Sequence, residues 1–218
     1  MSLTLIKVCC ISSIDEVRLA VKYGTDALGF VSAMPSGVGI IEESLIQELA
    51  SAVPTGVDSF LLTSLVDADE IIPQIIRCRT NTVQLVDSVE TKVYERIRAE
   101  LPNIKIVQVI HVTGENSVRE AEFVSSYVDA ILLDSGNPNL QIKELGGTGR
   151  THDWSISKLI CSTVNKPVFL AGGLNPENIE EAIMAVHPYG VDICTGLRTN
   201  GHLDEIKLRS FVNKVRNC

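Results

Sequence analysis

Short apolar runs rich in β-branched residues alternate with longer amphipathic stretches along the whole chain. The short runs predict strands at Ile6–Cys9, Ala27–Val31, Val57–Leu62, Thr82–Leu85, Ile104–Ile110, Ala130–Asp134, Pro167–Ala171 and Val191–Cys194. The amphipathic stretches predict helices at Ser13–Tyr23, Glu42–Val53, Asp67–Arg79, Glu90–Glu100, Ser117–Tyr127, Ser155–Val164, Pro176–Val186 and Asp204–Arg216. Strands that are apolar on both faces, each followed by a helix, belong to a parallel sheet covered by helices. Eight such units in one chain favour closure into a (β/α)8 barrel, the α/β fold expected here. Local signals agree. Ser12 or Ser13 can cap the first helix, Gly24 stands where a left-handed C-cap is expected, and Pro176 after Asn175 reads as a first-turn proline.

Within this pattern one segment carries more than fold information: VFLAGGLNPENIEEAIMAVHPYGVDICTG, residues 168–196. A strand ends in Gly172-Gly173, a helix follows, and a second strand ends in another glycine turn at Gly196. Glycine lets backbone approach a ligand, and a helix start offers free N–H groups and partial positive charge. That combination suits a phosphate, although the turns also have a purely structural reading.

Composition narrows the partners. The 218 residues are 45% hydrophobic and 21% charged, ordinary for a single globular domain spanning 1–218. A net charge of −8 argues against nucleic-acid binding, which needs a basic face. No apolar run reaches membrane-spanning length, and the N-terminus lacks a signal-peptide pattern, so a soluble cytoplasmic protein is expected. The six cysteines form no CxxC pair; a disulfide framework and a zinc site are both unexpected, and most should be buried free thiols. His111, His152, His187 and His202 lack metal-binding spacing and read as structural or surface residues, with only His152 near the presumed site.

In a barrel of this kind chemistry sits at the C-terminal ends of the strands. Strand one ends in Cys9-Cys10, strand four carries Gln84, strand six ends in Asp134, and strand eight runs into Cys194-Thr195-Gly196. A thiolate and a carboxylic acid could divide two proton transfers between them. The plainer readings are a packed thiol for Cys9, and for Asp134 a cap on its own loop through Ser135 and Gly136. After strand six the run Gly146, Gly147, Thr148, Gly149, Arg150 could be a phosphate nest, a lid or a flexible loop.

The motifs KVCCI, DALGFV, VQLV, ILLDS, GGTGRTHDW, FLAGGLNPENI and HPYGVDICTG occur in this order over nearly the whole chain. The sequence thereby resembles the phosphoribosylanthranilate isomerases of tryptophan biosynthesis. The resemblance implies a (β/α)8 barrel, an aldose-to-ketose (Amadori) rearrangement of a small phosphorylated sugar, no metal, no organic cofactor, and a monomer or homodimer. By position in the motifs it implies Cys9 as general base and Asp134 as general acid. Gly172, Gly173, Thr195 and Gly196 would hold phosphate, with Gln84, Gly147, Thr148, Gly149 and Arg150 around the substrate.

Departures from the family pattern gather at one end of the substrate. The glycine that usually follows the base is Cys10. The strand-two loop, SAMPSGVGII, has no arginine or lysine, whereas the family carries an arginine there for the anthranilate. The histidine usual after strand four is lost at Val86, and Arg198 replaces an acid after strand eight. A carboxylate without its cation forfeits roughly 1.5–3 kcal/mol of charge-assisted hydrogen bonding unless Arg150 or Arg198 supplies it. Two alternatives follow: a diverged isomerase of another phosphosugar, and a non-catalytic barrel that binds a phosphate ligand.

Overall fold

The computed structural model describes residues 3–138, 140, 143–145 and 149–218. Eight parallel strands close into a barrel in sequential order: β1 (Leu5–Val8), β2 (Ala27–Val31), β3 (Asp58–Thr63), β4 (Thr82–Leu85), β5 (Lys105–His111), β6 (Ala130–Asp134), β7 (Val168–Leu170) and β8 (Gly190–Ile193). The first and last strands pair directly, Leu5 with Gly190 through Val8 with Ile193. Eight helices cover the outside: α1 (Ile14–Lys22), α2 (Glu43–Ser51), α3 (Ala68–Cys78), α4 (Thr91–Glu100), α5 (Asn116–Ser125), α6 (Trp154–Thr163), α7 (Ile179–Val186) and α8 (Glu205–Asn217).

Alternation along each strand sorts the core into two bodies. Outward residues such as Ile6, Leu61, Ile110 and Leu133 pack beneath the helices. Inward residues Phe60, Val107, Leu132 and Phe169 fill the barrel, with Phe60 and Phe169 edge to face at 6.3 Å. Among the described residues no helix is long and apolar enough to cross a membrane.

The sequence places all sixteen elements, with shifted ends. Ser13 caps α1, accepting from the Glu16 N–H, and Gly24 takes the left-handed φ of +76°. Helix α7 begins at Ile179, not at Pro176, because side-chain bonds hold the preceding four residues in a turn. Asn175 Oδ1 accepts from the N–H groups of Glu177 and Asn178, and Asn178 Nδ2 donates to the Gly173 carbonyl. A small antiparallel ribbon, β9 (Arg198–Thr199) with β10 (His202–Leu203), also went unread. Its signal is Asn200-Gly201, a pair suited to a tight hairpin, and both residues take positive φ here.

Candidate active site

Parity along the strands explains which side chains meet. On β1 the inward positions are Lys7 and then Cys9, and on β6 they are Ala130, Leu132 and Asp134. Cys9, Asp134, Gln84, Gly172 and Thr195 line a single cleft of about 720 Å³, counting its part open to solvent. Cys9 and Cys194, the last residues of the predicted strands, lie one residue past the observed ends of β1 and β8.

The base candidate sits on a buried ion pair that the sequence reading missed. Lys7 is fully buried, with Nζ 2.8 Å from Asp192 Oδ1 and 5.1 Å from the Phe60 ring centre. Burial pushes the Cys9 thiol up to about 11, with Asp192 adding to the rise and Lys7 pulling against it. Room for these groups comes from Gly29 on β2. A Cβ there would stand 2.9 Å from Cys9 Sγ and 3.1 Å from Lys7 Nζ. A lysine and an aspartate at inward positions of neighbouring strands were the available signal.

Asp134 ends β6 at the cleft. It caps its own loop, accepting from the Gly136 N–H at 3.1 Å, and it also faces the cleft. Burial pushes its carboxyl up; the N–H groups of Ser135 and Gly136 pull the other way, as does the His111 ring whenever it is protonated. The expectation that only His152 lies near the site is overturned. His111 is the register partner of Asp134 across β5 and β6, and its Nδ1 lies 4.0 Å from Asp134 Oδ2. The predicted strand stopped one residue short of it. His152 instead contacts Ser157 Oγ at 2.7 Å near the start of α6, and burial lowers its pKa to about 4.

The glycine turns pack three loops against one another. A Cβ on Gly172 would meet Ser135 at 3.0 Å, and one on Gly173 would meet the Arg150–Thr151 backbone at 2.5–2.6 Å. Gly172 and Gly173 adopt φ of +83° and +62°. Thr195 lines the cleft beside them; Gly196 packs behind it, where a Cβ would stand 2.1 Å from the Leu174 carbonyl. Gly149 reaches over Thr195 Oγ1, while Gly146, Gly147 and Thr148 lie outside the described residues. Gln84 lines the cleft with its Oε1 buried and, among the described residues, without a hydrogen-bond partner.

Neither arginine considered as a replacement cation lines the cleft among the described residues. Arg198 is committed elsewhere: it donates to Glu16 at 2.8 Å and to the carbonyls of Cys10 and Gly201. Arg150 pairs with Glu144. The wall near the strand-two loop is apolar, built from Val31, Met34, Val38, Leu62 and Val86.

Cys9, Cys78, Cys161 and Cys218 are free, Cys9 and Cys78 being buried, but Cys10 forms a disulfide with Cys194 that the sequence did not suggest, tying the ends of β1 and β8 together. The two lie 184 residues apart in sequence, so no spacing rule could reveal the bond. Cys10 also has a φ of +62°, which explains the glycine usual at this place in the resembled family. A side chain there costs roughly 1–2 kcal/mol. Cys10→Gly is therefore expected to be more stable than Cys194→Ala by about 1 kcal/mol, since both lose the bond but only glycine relieves the backbone. Urea denaturation of the two variants, with equal midpoints as the contrary result, checks this.

Comparison with known proteins gives the family. A family model described as N-(5'phosphoribosyl)anthranilate (PRA) isomerase matches residues 6–214. The chain is 38% identical over 214 residues to N-(5'-phosphoribosyl)anthranilate isomerase 2 of Methanosarcina mazei, covering 97% of this chain and 94% of that protein. It is 35% identical over 216 residues to the N-(5'-phosphoribosyl)anthranilate isomerase of Bacillus cereus, covering 97% of this chain and 98% of that protein. The solved phosphoribosyl anthranilate isomerase of Thermococcus kodakaraensis superposes with a TM-score of 0.83 at 26% identity, over 99% of this chain and 100% of that one. The chain belongs to the N-(5'-phosphoribosyl)anthranilate isomerase family.

Proposed function

We infer that the chain isomerises N-(5'-phosphoribosyl)anthranilate, opening the ribose ring and converting the aldose amine to a ketose. The observation that carries this reading is the meeting of Cys9 and Asp134 in one cleft with the glycine turns after β7 and β8. Gly172, Gly173 and Thr195 bind the phosphate from the cleft wall, with Gly196 holding the turn behind them. Gln84 and Gly149 face the substrate from the cleft wall, and Arg150, next in sequence to Gly147, Thr148 and Gly149, reaches it only by leaving Glu144.

Asp134 gives its proton to the ribose ring oxygen, and the ring opens to a protonated imine. Cys9, as thiolate, then takes the C2′ proton and leaves an enolamine. Tautomerisation to the ketose moves one proton off the enol and one onto C1′, so both groups recover their starting states. The dry surroundings that raise the Asp134 carboxyl keep this acid protonated more readily than an exposed one.

A second reading rests on the apolar wall without a cation: the preferred substrate carries an arylamine lacking the carboxylate. Both are tested by following loss of substrate fluorescence with N-(5'-phosphoribosyl)anthranilate, alongside the corresponding phosphoribosyl aniline. The first reading expects turnover of the anthranilate at a kcat/KM equal to or above that of the aniline. A preference for the aniline of tenfold or so, about 1.4 kcal/mol, selects the second. No turnover of either overturns both.

A further inference from the structure

His111 takes no part in the steps above, yet its ring is held with unusual definition. Its Nε2 lies 2.9 Å from the Val86 carbonyl oxygen, which can only accept, so Nε2 carries the hydrogen. In the neutral ring Nδ1 is then a bare lone pair. That atom is buried, has no hydrogen-bond partner among the described residues, and faces Asp134 Oδ2 at 4.0 Å. The approach is allowed by Gly136, where a Cβ would fall 2.5 Å from Nδ1. A carboxylate and a ring lone pair facing each other in a dry site repel unless one proton lies between them.

We propose that His111 is a positioning residue for the acid: its Nδ1 lone pair, fixed by the Nε2–H bond to Val86 and 4.0 Å from Asp134 Oδ2, favours the protonated form of that carboxyl at the wall of the cleft. This rests on the assignment of Asp134 as the general acid. The pair holds one proton at the start of each turnover; Asp134 passes it to the ring oxygen and recovers one when the enol tautomerises. The charged groups around the pair are Asp192, facing Asp134 from β8, and Glu120 on α5 behind β5. Both are acidic, so as anions they favour keeping the proton on the pair.

The test is the pH profile of kcat/KM for His111→Gln, whose amide can still donate to Val86 but offers nothing at the place of Nδ1. The proposal expects kcat to fall at least about tenfold for each pH unit of lost proton affinity, with KM held within about twofold. The limb set by Asp134 should move to lower pH, while the Cys9 limb near 11 stays in place. His111→Asn, which returns a polar atom near Nδ1, should recover part of the rate. A wild-type kcat and an unmoved limb in His111→Gln overturn the proposal; a fully active Asp134→Asn overturns the acid assignment instead. Nitrogen NMR of the folded wild-type protein gives an independent reading. The Nε2–H tautomer is expected at neutral pH with an Nδ1 resonance that shifts in Asp134→Asn, and an Nδ1–H tautomer bonded elsewhere refutes the role whatever the variants do.

Discussion

Cys9→Ser and Asp134→Asn are each expected to lower kcat on N-(5'-phosphoribosyl)anthranilate by about 10²–10⁴-fold, the range for losing one acid or base. Serine at position 9 keeps the shape but ionises far less readily than a thiol already pushed up to about 11. Asparagine at 134 keeps the hydrogen-bonding outline and can still accept from the Gly136 N–H, yet it has no acidic proton to give. KM should change little, because the turns proposed to hold phosphate follow β7 and β8 and neither substitution alters their residues. Steady-state kinetics with circular dichroism checks this, and full activity in either variant refutes that residue's role.

The second large effect concerns stability. Lys7→Met is expected to destabilise the protein by about 3–5 kcal/mol, because it strands the Asp192 carboxylate among apolar groups. For a chain of this size that is a drop in Tm on the order of 10 °C, measurable by calorimetry. The double change Lys7→Met with Asp192→Leu should restore much of the loss, since an ion pair replaced whole leaves no charge behind. The pH dependence has a definite sign. Burial lowers the Lys7 ammonium, but Asp192 and Cys9 outweigh it and hold the group above its ordinary 10.5. Its contribution is therefore complete below about pH 10.5 and fades as pH rises through the folded value. The deficit of the single variant should accordingly be constant near neutrality and shrink only in strong alkali. The same variant should lose activity, because Lys7 restrains the rise of the Cys9 thiol. A Lys7→Met protein as stable as wild type would show that the pair contributes nothing.

What the sequence made legible follows from what local patterns can encode. Hydrophobic periodicity located all eight strands and helices, since each strand is buried on both faces and each helix on one. The strand ends slipped by a residue or two, enough to hide His111, which continues the inward parity of Val107 and Val109. The start of α7 was misplaced because Asn175 and Asn178 bond side chain to backbone, a choice that Pro176 leaves open. The Cys10–Cys194 bond and the Lys7–Asp192 and Arg198–Glu16 pairs join the two ends of the chain, 182 to 185 residues apart, where no local pattern reaches. Arg198 in particular reads as a free cation in the sequence, but in the fold it joins the end of β8 to α1.

Gly29 gives the site a different kind of dependence. The space for the Cys9 sulfur and the Lys7 ammonium is the volume of a methyl group that β2 does not have. Selection acting on the thiol must therefore also act on a position with no functional group, on another strand, whose only trait is smallness. A lineage could keep Cys9, Lys7 and Asp192 intact and still lose the chemistry through a single alanine. When related barrels are screened for retained activity, a residue other than glycine at this position would mark a divergent member before any catalytic side chain has changed.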